Sequence, residues 1–171
     1  YPAADPARRF PEILADRGVA TASVCSLNFL AGDYGVVRGF QEEQVVAQGR
    51  HHAPARAVVG PLIERLQRAG DGPLFAYAHL TEPHSPYDRG VRKGSAWERY
   101  LSEIRVADAQ LGRIASLLAR RFPDRGYLFV TSDHGEAFGE HGTREHSKTL
   151  YEELLRVPLL VRGPGVVARR V

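Results

Sequence analysis

The sequence predicts an α/β fold with a largely parallel sheet, and three observations carry that expectation. Apolar residues fall at helical spacing in some segments and in short β-branched or aromatic runs in others. The two kinds of segment alternate along the chain. Gly- and Pro-bearing breaks separate them, with no internal repeat and no low-complexity tract.

Asp5-Pro6 can start a helix as cap and first-turn proline, with Phe10, Ile13 and Leu14 as its apolar face and Gly18 closing it. Val19 to Cys25 is rich in β-branched residues and reads as a strand. Residues 26–52 are loop-like. Ala53 to Ala69 reads as a helix with Val58, Leu62, Ile63 and Leu66 on one side, broken by Gly70-Asp71-Gly72-Pro73. Leu74 to Leu80 is an apolar strand, and residues 81–94 form a Pro- and Gly-bearing loop. Ser95 caps a long helix, Ala96 to Arg121, whose stripe runs through Leu101, Ile104, Ala107, Leu111, Ile114, Leu117 and Leu118. Tyr127 to Thr131 is another strand, followed by a polar, His-rich loop to Ser147. Thr149 to Leu155 reads as a short helix and Val157 to Val161 as a last buried strand.

The 171 residues amount to one domain, with 43% hydrophobic and 25% charged residues as in ordinary globular chains. The net charge of +3 comes with scattered arginines, which does not argue for nucleic acid, so none is expected as a partner, and would suit a small anionic substrate. A single cysteine, Cys25, excludes an internal disulfide. No apolar run approaches the ~20 residues that span a bilayer. The absence of methionine and the start at Tyr1 suggest a piece of a longer protein.

Polar residues cluster after strands. His84 follows one, and Asp133 and His134 follow another. In parallel α/β sheets ligands bind beyond the carboxyl ends of strands. In VTSDHGEAFGEHG, Asp133 supplies a hard anionic oxygen and His134 a neutral nitrogen, a pair that suits a divalent ion. Gly135 allows close backbone approach, and Glu136, Glu140 and His141 are candidates for ligation or support. The competing reading is a solvated loop in which Asp133 caps the following turn.

An ordered set of strings resembles the sulfatases of the alkaline phosphatase superfamily. FAYAHLTEPHSPY is similar to the family's strand and Pro-His-x-Pro-Tyr loop, and YLSEIRVADAQLGRIASLL to its following helix. YLFVTSDHGEAFGEHG is similar to its second metal segment, and TLYEELLRVPLLVRGPG to the stretch that leads to the next core strand. FPEILADRGVATASV and GVVRGF resemble the segment after the nucleophile helix. The resemblance implies a three-layer, alkaline phosphatase-like fold, present here in part as one partial catalytic domain.

It further implies a divalent ion, calcium first, with manganese, zinc or magnesium as alternatives, held in part by Asp133 and His134. A formylglycine nucleophile made in a C/S-x-P-x-R motif would attack sulfur. His84 matches the histidine that binds the sulfate or protonates the leaving oxygen. His146 falls where relatives place a Lys or His over the sulfate, with Lys148 a neighbouring competitor that otherwise reads as an exposed helix-start lysine. His79 reads as a satisfied core histidine, and His51 and His52 receive no role. Tyr100 and Asp108 match the family helix, Asp108 as a structural or solvated charge. Glu152, Glu153 and Arg156 look like an ion-paired helix face. A periplasmic or secreted location is implied by the family alone.

The family's amino-terminal acidic pair and its nucleophile motif are not found in the sequence. Cys25 heads Cys-Ser-Leu-Asn-Phe and reads as a small buried apolar residue. Two ligands from one loop would bind a hard ion weakly, so this stretch alone is expected not to turn over sulfate esters. An unpaired sheet edge or apolar surface is expected for the same reason. The rival functions are a phosphonate or phosphodiester hydrolase, a phosphoethanolamine-type transferase, and a non-catalytic scaffold.

Overall fold

The computed structural model describes residues 6–30, 37–47, 52–146 and 148–170. Asp5, His51 and Ser147 lie outside them. In chain order the elements are α1 (Phe10–Ala15), β1 (Ala20–Cys25), β2 (Glu42–Val45), α2 (Ala55–Gln67), β3 (Leu74–His79), α3 (Ala96–Arg121), β4 (Leu128–Thr131), β5 (Ala137–Phe138), β6 (Arg144–Glu145), α4 (Glu152–Leu155) and β7 (Leu159–Arg162).

The fold is a three-layer α/β sandwich around a mostly parallel sheet. The strands β2, β1 and β3 lie side by side in that order, all parallel. Central β1 is buried from Thr21 to Cys25, as a strand covered on both faces must be. The period of two along β3 divides its side chains between the faces. Leu74, Ala76 and Ala78 pack against the core formed by Val24 with Val58, Val59, Leu62 and Leu66 of α2 and Ile114 and Leu117 of α3. On the other face, Phe75 meets Phe10 of α1 edge-on at 5.4 Å and stacks on Phe40 at 5.9 Å.

The strand β4 pairs antiparallel with β7 in a separate ladder. Its Leu128 packs against the same helix-lined core, so both ladders share one helical layer. The expectation of a last buried strand fails at β7. All four of its residues are exposed, with Leu159 at 69% and Leu160 at 61%. An apolar run reads as buried only if another layer covers it, and among the described residues β7 has one neighbour strand and no cover. The solvent-facing Phe129 of β4 belongs to the same uncovered surface.

Further boundaries differ from the sequence reading: the stretch read as a His-rich loop contains the short antiparallel pair β5–β6, and α4 begins at Glu152 rather than Thr149. The first helix begins at Phe10, where the Glu12 carboxylate accepts the Arg9 backbone N–H at 2.6 Å, rather than at Pro6. Within the stretch read as loop, EEQV forms the edge strand β2. A reciprocal pair of 3.0 Å bonds between Thr21 and Gln41 leads the chain into that register. The long helix α3 starts at Ala96 with Ser95 as cap, its side chain accepting from Glu98 N.

Candidate active site

The loop after β3 meets the segments that follow β4 and β6, although β3 and β4 do not pair. His84 contacts His146 edge-on with ring centroids 5.3 Å apart, and His146 stacks on His134 at 4.2 Å. Asp133 directly precedes His134, with Oδ2 3.9 Å from Nε2 of that ring. The electrostatic reach of Asp133 extends to β3. It opposes the effect of burial, which dominates and lowers the pKa of His79, and it adds to the burial that raises Tyr77.

Each of the three clustered imidazoles is locked by its Nδ1. That of His84 lies 2.7 Å from the Ser85 carbonyl oxygen and that of His134 lies 2.8 Å from the Gly135 carbonyl oxygen. That of His146 lies 3.1 Å from Glu136 Oε1. A carbonyl or carboxylate oxygen can only accept, so Nδ1 carries the hydrogen in all three rings. In the neutral form each Nε2 then keeps its lone pair, free to accept a proton or bind a metal.

Glu136 is the hub behind the cluster. Its side chain is 5% exposed; while Oε1 takes the His146 N–H, Oε2 accepts the Tyr87 hydroxyl at 2.6 Å. Burial, and then the Glu136 bond, raise the Tyr87 pKa, so the phenol stays protonated and donating. The backbone of Tyr87 sits at φ 57°, uncommon for a side chain of this size. Its ring is buried against Tyr100 and Phe138, which holds it there.

Gly135 docks this loop on α4. Its N–H donates to the Leu154 carbonyl at 2.8 Å, and a Cβ there would lie 3.2 Å from Leu154 Cα and closer still to the Glu153 carbonyl. A cavity of about 320 Å³ opens beside His84, lined by His52, Glu82, Asp88, Arg89 and Glu103 among others. Glu82 caps α2, both carboxylate oxygens accepting from Ala55 N at 2.8 and 3.0 Å. Its pKa is raised chiefly by burial, against the lowering effect of that backbone bond.

Not every candidate joins the cluster. His141 pairs with Glu153 at 3.0 Å and stacks on Tyr151, and Glu140 accepts the Phe138 N–H. Glu153 of the expected ion-paired face therefore reaches to another element. Lys148 is exposed, its Nζ 3.9 Å from Glu145. Asp108 is exposed on α3, and His79 bonds Ser26 Oγ through Nδ1 at 3.0 Å. Cys25 is fully buried. His52, given no role from the sequence, packs edge-on against His84 at 4.8 Å. Glu103 likewise carries no signal of a role in the sequence. Fully buried on α3, it accepts the backbone N–H groups of His84 and Arg89.

The donor set fits a divalent ion in part. Asp133 and Nε2 of His134 offer two donors of the right kind. Among the described residues, no three His, Cys, Asp or Glu side chains converge as a metal site.

The sulfatase family model matches residues 8–171. The chain belongs to the sulfatase family. Its family relatives include an endo-4-O-sulfatase of Bacteroides thetaiotaomicron, 24% identical over 146 residues, covering 66% of this chain and 29% of that protein. An uncharacterized sulfatase of Escherichia coli, YidJ, is 33% identical over 64 residues, covering 37% of this chain and 13% of its own length. The chain thus spans less than a third of either relative. Among solved structures, the phosphonate monoester hydrolase of Agrobacterium radiobacter shares the fold with a TM-score of 0.70 at 16% identity, over 92% of this chain and 53% of that one. An alkaline phosphatase superfamily protein of Vibrio parahaemolyticus gives 0.69 at 17% identity, over 93% and 42%. Among the described residues of this sulfatase-family chain, no helix is long and apolar enough to cross a membrane.

Proposed function

We propose that this chain is the part of a sulfuric ester hydrolase that carries the later metal pair and the sulfate-side histidines, with the nucleophile lying outside this stretch. The observation that carries the reading is the cluster itself. Three Nδ1-locked imidazoles meet in ring contact, His84 from the segment after β3, His134 from that after β4 and His146 from that after β6, and the Asp133 carboxylate lies 3.9 Å from the His134 ring.

In this reading Asp133 and His134 would hold a divalent ion, calcium first, which supplies charge neutralisation to a sulfate oxygen. His84, once protonated at Nε2, gives that proton to the leaving oxygen, so an alkoxide need not depart as an anion. His146, in its protonated form, donates from Nε2 to the sulfate while Glu136 takes its Nδ1–H. The substrate is a small anionic sulfate ester, and the setting is periplasmic or secreted by family implication.

The test is hydrolysis of 4-nitrophenyl sulfate by the full-length protein, beside bis(4-nitrophenyl) phosphate and a phosphonate monoester. Sulfate ester turnover is expected to be preferred, and His84→Ala should lower kcat about 10²–10⁴-fold where the leaving group is poor. Preference for the phosphonate or phosphodiester would move the chain to the rival hydrolases. No turnover of any ester by a correctly folded, metal-supplied protein would leave a non-catalytic scaffold.

A further inference from the structure

The loop that bears His84 is stapled to one face of α3. Arg99, Ser102 and Glu103 stand at helical i, i+3 and i+4 positions and therefore share that face. Arg99 donates to the Pro86 carbonyl at 2.7 Å. The Ser102 hydroxyl accepts the Val91 N–H at 2.9 Å while donating to the Arg99 carbonyl at 2.7 Å. The two oxygens of Glu103 accept the N–H groups of His84 at 3.1 Å and Arg89 at 2.8 Å. Four backbone groups of an eight-residue stretch are thus held by three side chains.

Glu103 is the unusual member. It is 1% exposed, and a carboxylate is buried to that degree only when its acceptor capacity is met. Here two backbone amides meet it, one at His84 itself. Gly90 closes the other end by lying flat on the helix, where a Cβ would come within 2.8 Å of Ser102 Cβ.

We infer that the Arg99–Ser102–Glu103 seam is a positioning element that sets the place and the ring tautomer of His84. The inference rests on reading His84 as the proton donor of the site. A neutral histidine in water prefers its hydrogen on Nε2. In this loop the Ser85 carbonyl puts the hydrogen on Nδ1, and it can do so only while the 84–89 backbone is held. Glu103 holds both ends of that span. Acting through another residue, it is a positioning residue.

The test uses Glu103→Gln, which keeps the volume but leaves one of the two amides without an acceptor, and Gly90→Ala, which lifts the loop from α3 without touching the carboxylate. In wild type, ¹⁵N ring shifts of His84 above neutral pH should report the Nδ1–H form. In both variants the ring should move toward the Nε2–H form. Amide hydrogen exchange should accelerate about ten- to a hundredfold, at the one amide of His84 and Arg89 that loses its acceptor in Glu103→Gln and at both in Gly90→Ala, as expected when a bond to a charged acceptor is lost. Exchange at Val24 and Cys25 of β1 should stay unchanged. A His84 tautomer that is unchanged in both variants overturns the inference, as does equal acceleration at β1, because Glu103 would then serve overall stability alone. Ring and amide signals need no turnover. If they respond while the wild-type full-length protein cleaves no ester, the functional reading fails and the seam stands.

Discussion

Replacing Gly135 by alanine should loosen the loop that carries Asp133 and His134. A methyl at this position would stand 3.0 Å from the Glu153 carbonyl carbon and nearer still to its oxygen, in backbone that no side-chain rotation can clear. Either α4 backs away or the loop does, and both movements stretch the 2.8 Å bond from Gly135 N–H to Leu154. Over-packing costs about 1–3 kcal/mol and the lost bond about 1 kcal/mol more, giving roughly 2–4 kcal/mol in all. For a chain of this length that lowers the melting midpoint by about 5–15 °C. Scanning calorimetry reads the midpoint, and ¹⁵N shifts of the His134 ring read whether Nδ1 still reaches the Gly135 carbonyl. A midpoint and His134 signals indistinguishable from wild type would refute the docking of this loop on residues 153–154.

Other outcomes follow from the same geometry. The Cys25 thiol, pushed up to about 11 by burial and then by Glu43, should react with a thiol reagent at mildly alkaline pH only after denaturant is added; rapid reaction in the folded chain would contradict its burial. The folded pKa of Glu82 lies above its unfolded value, so its contribution to stability is fully present below the ordinary 4.5 and is lost as pH rises through the folded pKa. The stability of Glu82→Gln relative to wild type should therefore improve as pH rises from acid toward neutral, measured by denaturant titration, and a difference that is constant with pH would count against it. Glu136→Ala should release both Tyr87 and His146, lowering the alkaline ionisation point of Tyr87 in an ultraviolet titration. The 171 residues by themselves should leave 4-nitrophenyl sulfate intact; turnover by a clean preparation would mean that the whole catalytic apparatus lies inside them.

Much of the scaffold was legible because local chemistry agrees with the fold. Ser95 marks the start of α3, and the breaker Gly70-Asp71-Gly72-Pro73 separates α2 from β3, as observed. The edge strand β2 was hidden because Glu42, Glu43 and Gln44 are exposed polar residues, and parallel pairing with β1 alone makes them a strand. The run VPLLV carries no sign of what covers it, which is why the exposure of β7 could not be read. At the site, the residue types of the Asp133–His134 loop were readable from their place after a strand. The meeting of His84 with His146 was not, since it joins loops 62 positions apart in the chain through tertiary packing. A helix carboxylate such as Glu103 ordinarily faces water, and nothing adjacent in sequence reveals the two amides it serves. His52 likewise joins the cluster through a contact 32 positions away.

The most direct measurement of the central claim is anomalous diffraction from crystals of the full-length protein grown with manganese and sulfate. The account expects a peak bonded at about 2.0–2.6 Å to an Asp133 oxygen and to Nε2 of His134, with sulfate on the side facing His84 and His146. Manganese bound elsewhere, with sulfate distant from both histidines, would contradict it.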